Sequence, residues 1–313
     1  MSGSHGARRQ RLQTKAFTVL ELLVAMAVLV LMLTLITQLF NSAVAVTTGG
    51  NKHSDADGQA RAVLDRIGGD IARMVRRPDV DYYFNKTSGN DQMAFYTEAT
   101  GYMPDGITGN VPKSSVSLAG YRINANFQLE RLGKGLIWNG VTEATDGVAS
   151  LSSEDKPMVF LPQTLTGTWP NVAGAGNDPD FQVIGDQIYR MEISFLLKPY
   201  SNAAGAAFPA VLSEDPWDTR QDHTTADGLR DVSAIVVTIA VLDSRSRVPL
   251  GNAAAVTAAM SAAAAVLPDM TGTDSPAKAW QAQIASGDVG ISNQLAASQV
   301  RVYERYFYLN SSL

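Results

Sequence analysis

Residues 17–40 read Phe17-Thr-Val-Leu-Glu-Leu-Leu-Val-Ala-Met-Ala-Val-Leu-Val-Leu-Met-Leu-Thr-Leu-Ile-Thr-Gln-Leu-Phe40, with Glu21 as the only ionisable group. As an α-helix this stretch would extend ~36 Å, enough to cross a hydrocarbon core ~30 Å thick. Residues 1–16 carry Arg8, Arg9, Arg11 and Lys15 and no acid, a charge of +4, leaving −9 on residues 17–313 against −5 for the whole chain. The positive-inside rule therefore predicts a cytoplasmic leader, a single membrane helix and an extracytoplasmic remainder.

Three readings fit these features. A cleaved secretory signal would use Ala43-Val44-Ala45 as its small-residue site, but its apolar region is normally 7–15 residues long. A plain uncleaved anchor accounts for the length and leaves Glu21 unexplained. The third reading rests on the order of the residues. The leader ends in Lys15-Ala16, and Phe17-Thr18-Val19-Leu20-Glu21 opens the apolar helix. This order resembles the class III signal of type IV pilins and of the pseudopilins of type II secretion. The resemblance implies that a prepilin peptidase cuts between Ala16 and Phe17 on the cytoplasmic side and methylates the new amine. It also implies that Glu21 of an incoming subunit pairs with the Phe17 amine of a neighbour during assembly. The family usually has glycine before the cut, and Ala16 is a departure that puts the rate of processing in question.

The cost of Glu21 agrees with that role. A carboxylate at a helix centre in a bilayer costs roughly 2.5–3.5 kcal/mol, and less near the interface. One turn from Phe17, Glu21 would lie only ~6 Å deep, near the level of the new cation.

Beyond the membrane helix, residues 41–60 are small and polar, and Gly49-Gly50 predict a weak or broken helix, since each glycine costs roughly 1 kcal/mol relative to alanine. Helical patterning resumes with Val63, Leu64, Ile67, Ile71, Met74 and Val75 on one stripe. Arg61, Asp65, Arg66, Asp70, Arg73 and Arg76 cover the other side, and Pro78 closes the segment. The predicted organisation is thus a leader at 1–16, a transmembrane helix at 17–40, a soluble helical continuation at 41–78 and a head at 79–313.

In the head the period changes to that of strands. Runs at 92–96, 115–123, 127–132, 188–196, 232–242 and 300–309 are rich in β-branched and aromatic residues and are separated by Gly, Pro, Asn and Asp. Asn124-Ala125-Asn126 predicts a hairpin turn. Two helices are expected late, an alanine-rich one at 252–267 and another at 276–286. The first is expected to pack within the head, because Pro268 and Asp269 bound it. The fold class is therefore α+β, a long N-terminal helical spine packed on an antiparallel head. The order of these segments is similar to the J-type minor pseudopilins and W-type minor pilins. The ending Arg301-Val-Tyr-Glu-Arg-Tyr-Phe-Tyr-Leu-Asn310 resembles a verrucomicrobial prepilin-type family, the Verru_Chthon cassette protein C. These resemblances imply a pilin-like fold, an inner-membrane location before assembly, and a prepilin peptidase and other pilin-like subunits as partners.

No disulfide, thiolate metal site or Cys nucleophile is possible, because the chain has no cysteine. His5, His53 and His223 are too dispersed in this layout to share one site, although His223 alone could serve a triad whose other members lie elsewhere in the sequence. No HExxH, Gly-x-Ser-x-Gly or phosphate-binding glycine loop occurs, so an enzyme is not expected. An acidic body argues against nucleic acid as a partner. Asn177-Asp178-Pro179-Asp180 and Glu214-Asp215-Pro216-Trp217-Asp218 offer hard oxygen ligands for calcium, although neither has EF-hand spacing, and solvated acidic loops explain them as well. Apart from calcium no cofactor is expected. Trp169 and Trp217 are either partner anchors or ordinary packing.

Overall fold

The computed structural model describes residues 18–77, 80–101, 115–136, 165–173 and 178–309, with the backbone alone at 44–54 and 167–168. The chain divides into two compact units, Met1–Asn51 and Lys52–Leu313.

A single helix, α1 (Val19–Ile71), enters both units. In the first, the window Val19–Ala43 has a mean hydropathy of 2.8 and none of it is buried, so this helix is long and apolar enough to cross a membrane. Two of its hydroxyls bond the backbone, Thr34 Oγ1 donating to Leu31 O (2.8 Å) and Thr37 Oγ1 to Leu33 O (2.7 Å). The backbone stays helical through Gly49 and Gly50, where a weak point is expected. Low propensity lowers the stability of a turn without dictating a break.

In the second unit α1 is amphipathic. Ala56, Ala60, Val63, Leu64, Ile67 and Ile71 recur at helical spacing and are all buried. The helix ends at Ile71, earlier than the expected boundary at Pro78, a residue that lies outside the described ones. The physical reason is tertiary. Val75 N donates to Tyr96 O (2.8 Å) and Glu98 N to Arg73 O (2.9 Å), so the chain leaves the helix to run along a strand. Asp70, expected on the polar side, is buried as well. It accepts from Tyr121 Oη (2.6 Å) and Arg131 Nε (2.8 Å), two groups that only the folded sheet brings to it.

The strands of the head are β1 (Tyr82–Asn85), β2 (Gln92–Thr97), β3 (Ser117–Ile123), β4 (Leu129–Gly135), β5 (Gln182–Gly185), β6 (Ile188–Leu197), β7 (Tyr200–Ser201), β8 (Ala207–Phe208), β9 (Leu212–Ser213), β10 (Val232–Val241) and β11 (Arg301–Tyr308). A short helix, α2 (Leu165–Thr168), precedes β5, and α3 (Ser244–Arg247), α4 (Ala253–Val266), α5 (Pro276–Ala285) and α6 (Gln294–Ala297) lie between β10 and β11. Among the described residues the strands form an antiparallel sheet in the order β1-β2-β3-β4-β5, a second in the order β11-β10-β6-β9, and the ribbon β7-β8. The head is therefore α+β, a helix with antiparallel sheets.

The alternation of β10 shows how the layers stack. Ile235, Val237, Ile239 and Val241 join the α1 stripe, together with Met93 and Phe95 of the first sheet. On the opposite face Ala240 packs with Met260 and Ala263 of α4 and Trp280 of α5. Contact between α1 and β11 is close at Gly68, where a Cβ would stand 2.8 Å from Phe307 Cε1. Both late helices start on side-chain caps, Asn252 accepting from Ala255 N and Ser275 from Lys278 N.

The hairpin between β3 and β4 turns at 124–128, with Asn124 Oδ1 accepting from Asn126 N and Gln128 N (both 3.0 Å). Phe127, expected to start a strand, sits in the turn with φ 55°.

A charged joint ties the two sheets together. Asp91 N donates to Met191 O (3.0 Å), Asn90 Oδ1 accepts from Met191 N (2.8 Å), and Asp91 Oδ2 accepts from Ile193 N (2.7 Å). Lys86 Nζ donates to Ile193 O (2.6 Å) and pairs with Asp91 (2.7 Å) and Glu192 (2.8 Å). The loop from β1 to β2 thereby satisfies β6 at Met191 and Ile193, on the side where, among the described residues, β9 pairs only farther along at Phe195 and Leu196.

Candidate functional site

Of the expected site residues, Ala16 and Phe17 lie outside the described ones. Glu21 lies in the first turn of α1, among exposed apolar side chains. It is engaged in a reciprocal cap. Thr18 N donates to Glu21 Oε2 (3.0 Å), Thr18 Oγ1 donates to the same oxygen (3.1 Å), and Glu21 N donates to Thr18 Oγ1 (3.2 Å). Thr18 is thus the N-cap and Glu21 the third helical residue of a capping box. The arrangement satisfies two of the otherwise orphaned amides at the helix start and sets a negative charge against the positive end of the helix dipole. The Thr-x-x-Glu spacing that signals it stands openly in the sequence, but reading it only for its peptidase register missed the cap.

In the head, the acidic clusters are turned onto the protein's own cations. Asp178 and Asp180 each stand 2.9 Å from Lys134 Nζ, whose side chain is 0% exposed. Burial acts to lower the Lys134 pKa, but its hydrogen bonds to Asp178 and Asp180 outweigh burial and raise it. Asn177 lies outside the described residues. Asp218 is buried and pairs with Arg220 Nη2 (2.7 Å), which holds its carboxyl below the usual range. Glu214 is exposed and Asp215 half-buried. Among the described residues no group of three or more His, Asp or Glu side chains is placed to hold a metal ion.

His223 Nδ1 stands 2.8 Å from Asp231 Oδ2, the orientation an acid gives to a catalytic imidazole. Among the described residues no hydroxyl is hydrogen-bonded to that ring. Trp169 is buried and donates from Nε1 to Tyr96 Oη (3.0 Å), while Trp217 is half-buried. Trp169 is therefore a packing residue of the first sheet.

No family model, curated protein or solved structure matches this chain. The chemistry that stands out is the start of α1, an exposed apolar helix opened by a carboxylate that is held in a cap.

Proposed function

We propose that this chain is a minor pilin or pseudopilin. In this reading it is held in the inner membrane with its head in the periplasm, cut by a prepilin peptidase between Ala16 and Phe17, and assembled with other pilin-like subunits through its N-terminal helix. One observation carries the reading. An apolar helix, bare all round, opens at Thr18–Glu21, one residue (Phe17) behind a basic leader that ends in Lys15-Ala16. Every side chain of the segment then has a role. The leader sets orientation, the bare helix packs first against lipid and then against neighbouring helices, and Glu21 supplies the counter-charge for a neighbour's Phe17 amine. An α+β head with an amphipathic helix in its core supports the pilin-like reading. The reading assigns the head no catalysis.

Expression with and without a prepilin peptidase tests it. Mass spectrometry of the membrane-extracted protein should find a methylated N-terminus at Phe17 only when the peptidase is present. An N-terminus at Met1 in both cells overturns the proposal.

A second reading, a single-pass anchored binding protein, has one observation in its favour: the capping box accounts for Glu21 without any assembly. Glu21→Gln separates the two, because Gln is also accepted at this capping position while lacking the charge. Loss of incorporation into filaments with insertion intact supports the pilin reading, and normal incorporation removes the charge from the mechanism.

A further inference from the structure

Strand β11 is the outermost of its sheet, with β10 on one side and, among the described residues, no strand on the other. Leu309 N donates to Ser233 O (2.9 Å), which sets the parity of the ladder to β10. Odd-numbered residues from Arg301 to Phe307 therefore bond to β10, while Val302, Glu304, Tyr306 and Tyr308 turn N–H and C=O outward. Among the described residues no hydrogen bond reaches these outward backbone groups. They repeat along ~20 Å of edge, a spacing that only another extended backbone matches.

Folded proteins close or blunt such edges. At β6 the loop from β1 to β2 does this at Met191 and Ile193. The outer strands of the first sheet, β1 and β5, are only four residues long. Strand β11 has eight residues, no Pro, Gly or Lys, and no bulge against β10. Its charges are engaged within the fold. Glu304 accepts from Ser275 Oγ (2.6 Å) and Thr238 Oγ1 (3.0 Å), and Arg305 pairs with Asp65. Near the end of the edge Tyr306 and Tyr308 stack with centroids 6.5 Å apart, and Tyr308 is 66% exposed.

A second β11 does not suit this edge. Tyr303 Oη donates to Asp57, Arg305 bonds Asp65 and Phe307 lies against Gly68, so α1 and β11 advance in the same direction. A two-fold ladder of two β11 strands would be antiparallel and would set its two α1 helices in opposite directions. Two chains anchored in one membrane, as the reading above has them, do not pair in that way.

We infer that β11 receives an extended segment of a different polypeptide as an added antiparallel strand, with apolar side chains at alternate positions. In such a ladder the residues that bond β11 carry their side chains on the face of Tyr306 and Tyr308, so the apolar residues of the segment are the bonding ones. The choice of a different chain rests on the pilin reading. The open edge does not, and its test uses no peptidase, so its failure leaves the N-terminal reading untouched.

The test uses the full chain in neutral detergent micelles and a fluorescent peptide, Ser-Val-Thr-Val-Thr-Val-Ser. Anisotropy should show saturable binding below ~1 mM. Methylating the valine amide nitrogens should abolish it, and methylating those of threonine should leave it within about 3-fold. Amide exchange at Glu304 and Tyr306 should be fast in dilute protein and slowed at least ~10-fold by the peptide. Tyr306→Pro removes an outward N–H and no bond to β10, so it should weaken binding at least ~10-fold with little change in urea midpoint, whereas Tyr306→Phe binds normally. Absence of saturable binding, equal loss from both methylated peptides, or amides already protected in dilute protein overturns the proposal. Protection that grows with protein concentration alone assigns the edge to a second copy and overturns the assignment to a different chain.

Discussion

Two stretches of one helix, Val19–Ala43 and Ala56–Ile71, have the same backbone and opposite surroundings. In the first, apolar side chains face every direction, and Leu39 is 74% exposed. In the second they keep to one stripe, and Ile67 is 0% exposed. A stripe marks a helix whose partner is a protein surface on one side and water on the other. Apolar character all round marks a helix that needs an apolar medium on every side. The periodicity of the side chains thus reports what each half packs against, although helix propensity does not separate them.

The sharpest way to break this contrast is to place a charge in each half. Ile67→Asp buries an unpaired carboxylate in the core shared by both sheets and should destabilise the head by more than ~4 kcal/mol. Urea unfolding of the full chain in micelles reads this, and an unchanged midpoint would show that α1 is not part of the core. Asp70→Ala should be next, at roughly 3–5 kcal/mol, because it leaves Arg131 without its carboxylate in a largely buried position. Leu31→Arg should cost ~2.5–3.5 kcal/mol of membrane insertion and leave the head's urea midpoint unchanged. Carbonate extraction of membranes checks the first part, and full retention in the pellet would contradict it.

The smallest effect concerns pH and belongs to the head alone. Burial pushes Asp91 up to about 6 and the nearby Glu192 adds to this, although Lys86 pulls the other way. An unfolded aspartate titrates near ~3.9, so the native state holds this proton more tightly. The resulting stabilisation is complete below ~4 and is lost as pH rises through about 6. Relative to Asp91→Asn, the native protein should lose stability between pH 4.5 and 7.5. A difference in urea midpoint that stays level or grows over this range would refute it.

What the sequence makes legible follows from how local each signal is. Strands β2, β3, β6, β10 and β11 lie close to the expected runs, because β-branched and aromatic residues are frequent there and Gly, Pro, Asn and Asp separate the runs. The strands β1 and β5 offer only the short pieces Tyr82-Tyr83-Phe84 and Val183-Ile184, and register with their neighbours holds them in the sheet. Caps at Asn252 and Ser275 follow from local chemistry, and so does the Asn124 turn. Asp70 does not, since its burial depends on Tyr121 and Arg131 arriving from a distant hairpin. The same holds for Asp178 and Asp180, which look like free ligands until Lys134 is placed between them. At the N-terminus the order of residues carries the whole proposal, while the cap between Thr18 and Glu21 needs only a three-residue spacing.

The pairing of β10 with β11 has a consequence for how such a head can change over time. Val241 and Arg301 are register partners, so everything from 242 to 300, α3 to α6 included, leaves the sheet and returns to the same place. Loop closure depends only weakly on length, about 0.6 kcal/mol for each doubling. The helical layer can therefore be lengthened, exchanged or shortened in descendants without redrawing the sheet, provided that the replacement covers the face of Tyr189 and Ala240 and keeps the partners that Asp269 and Met270 give to the buried Arg190 and Glu192.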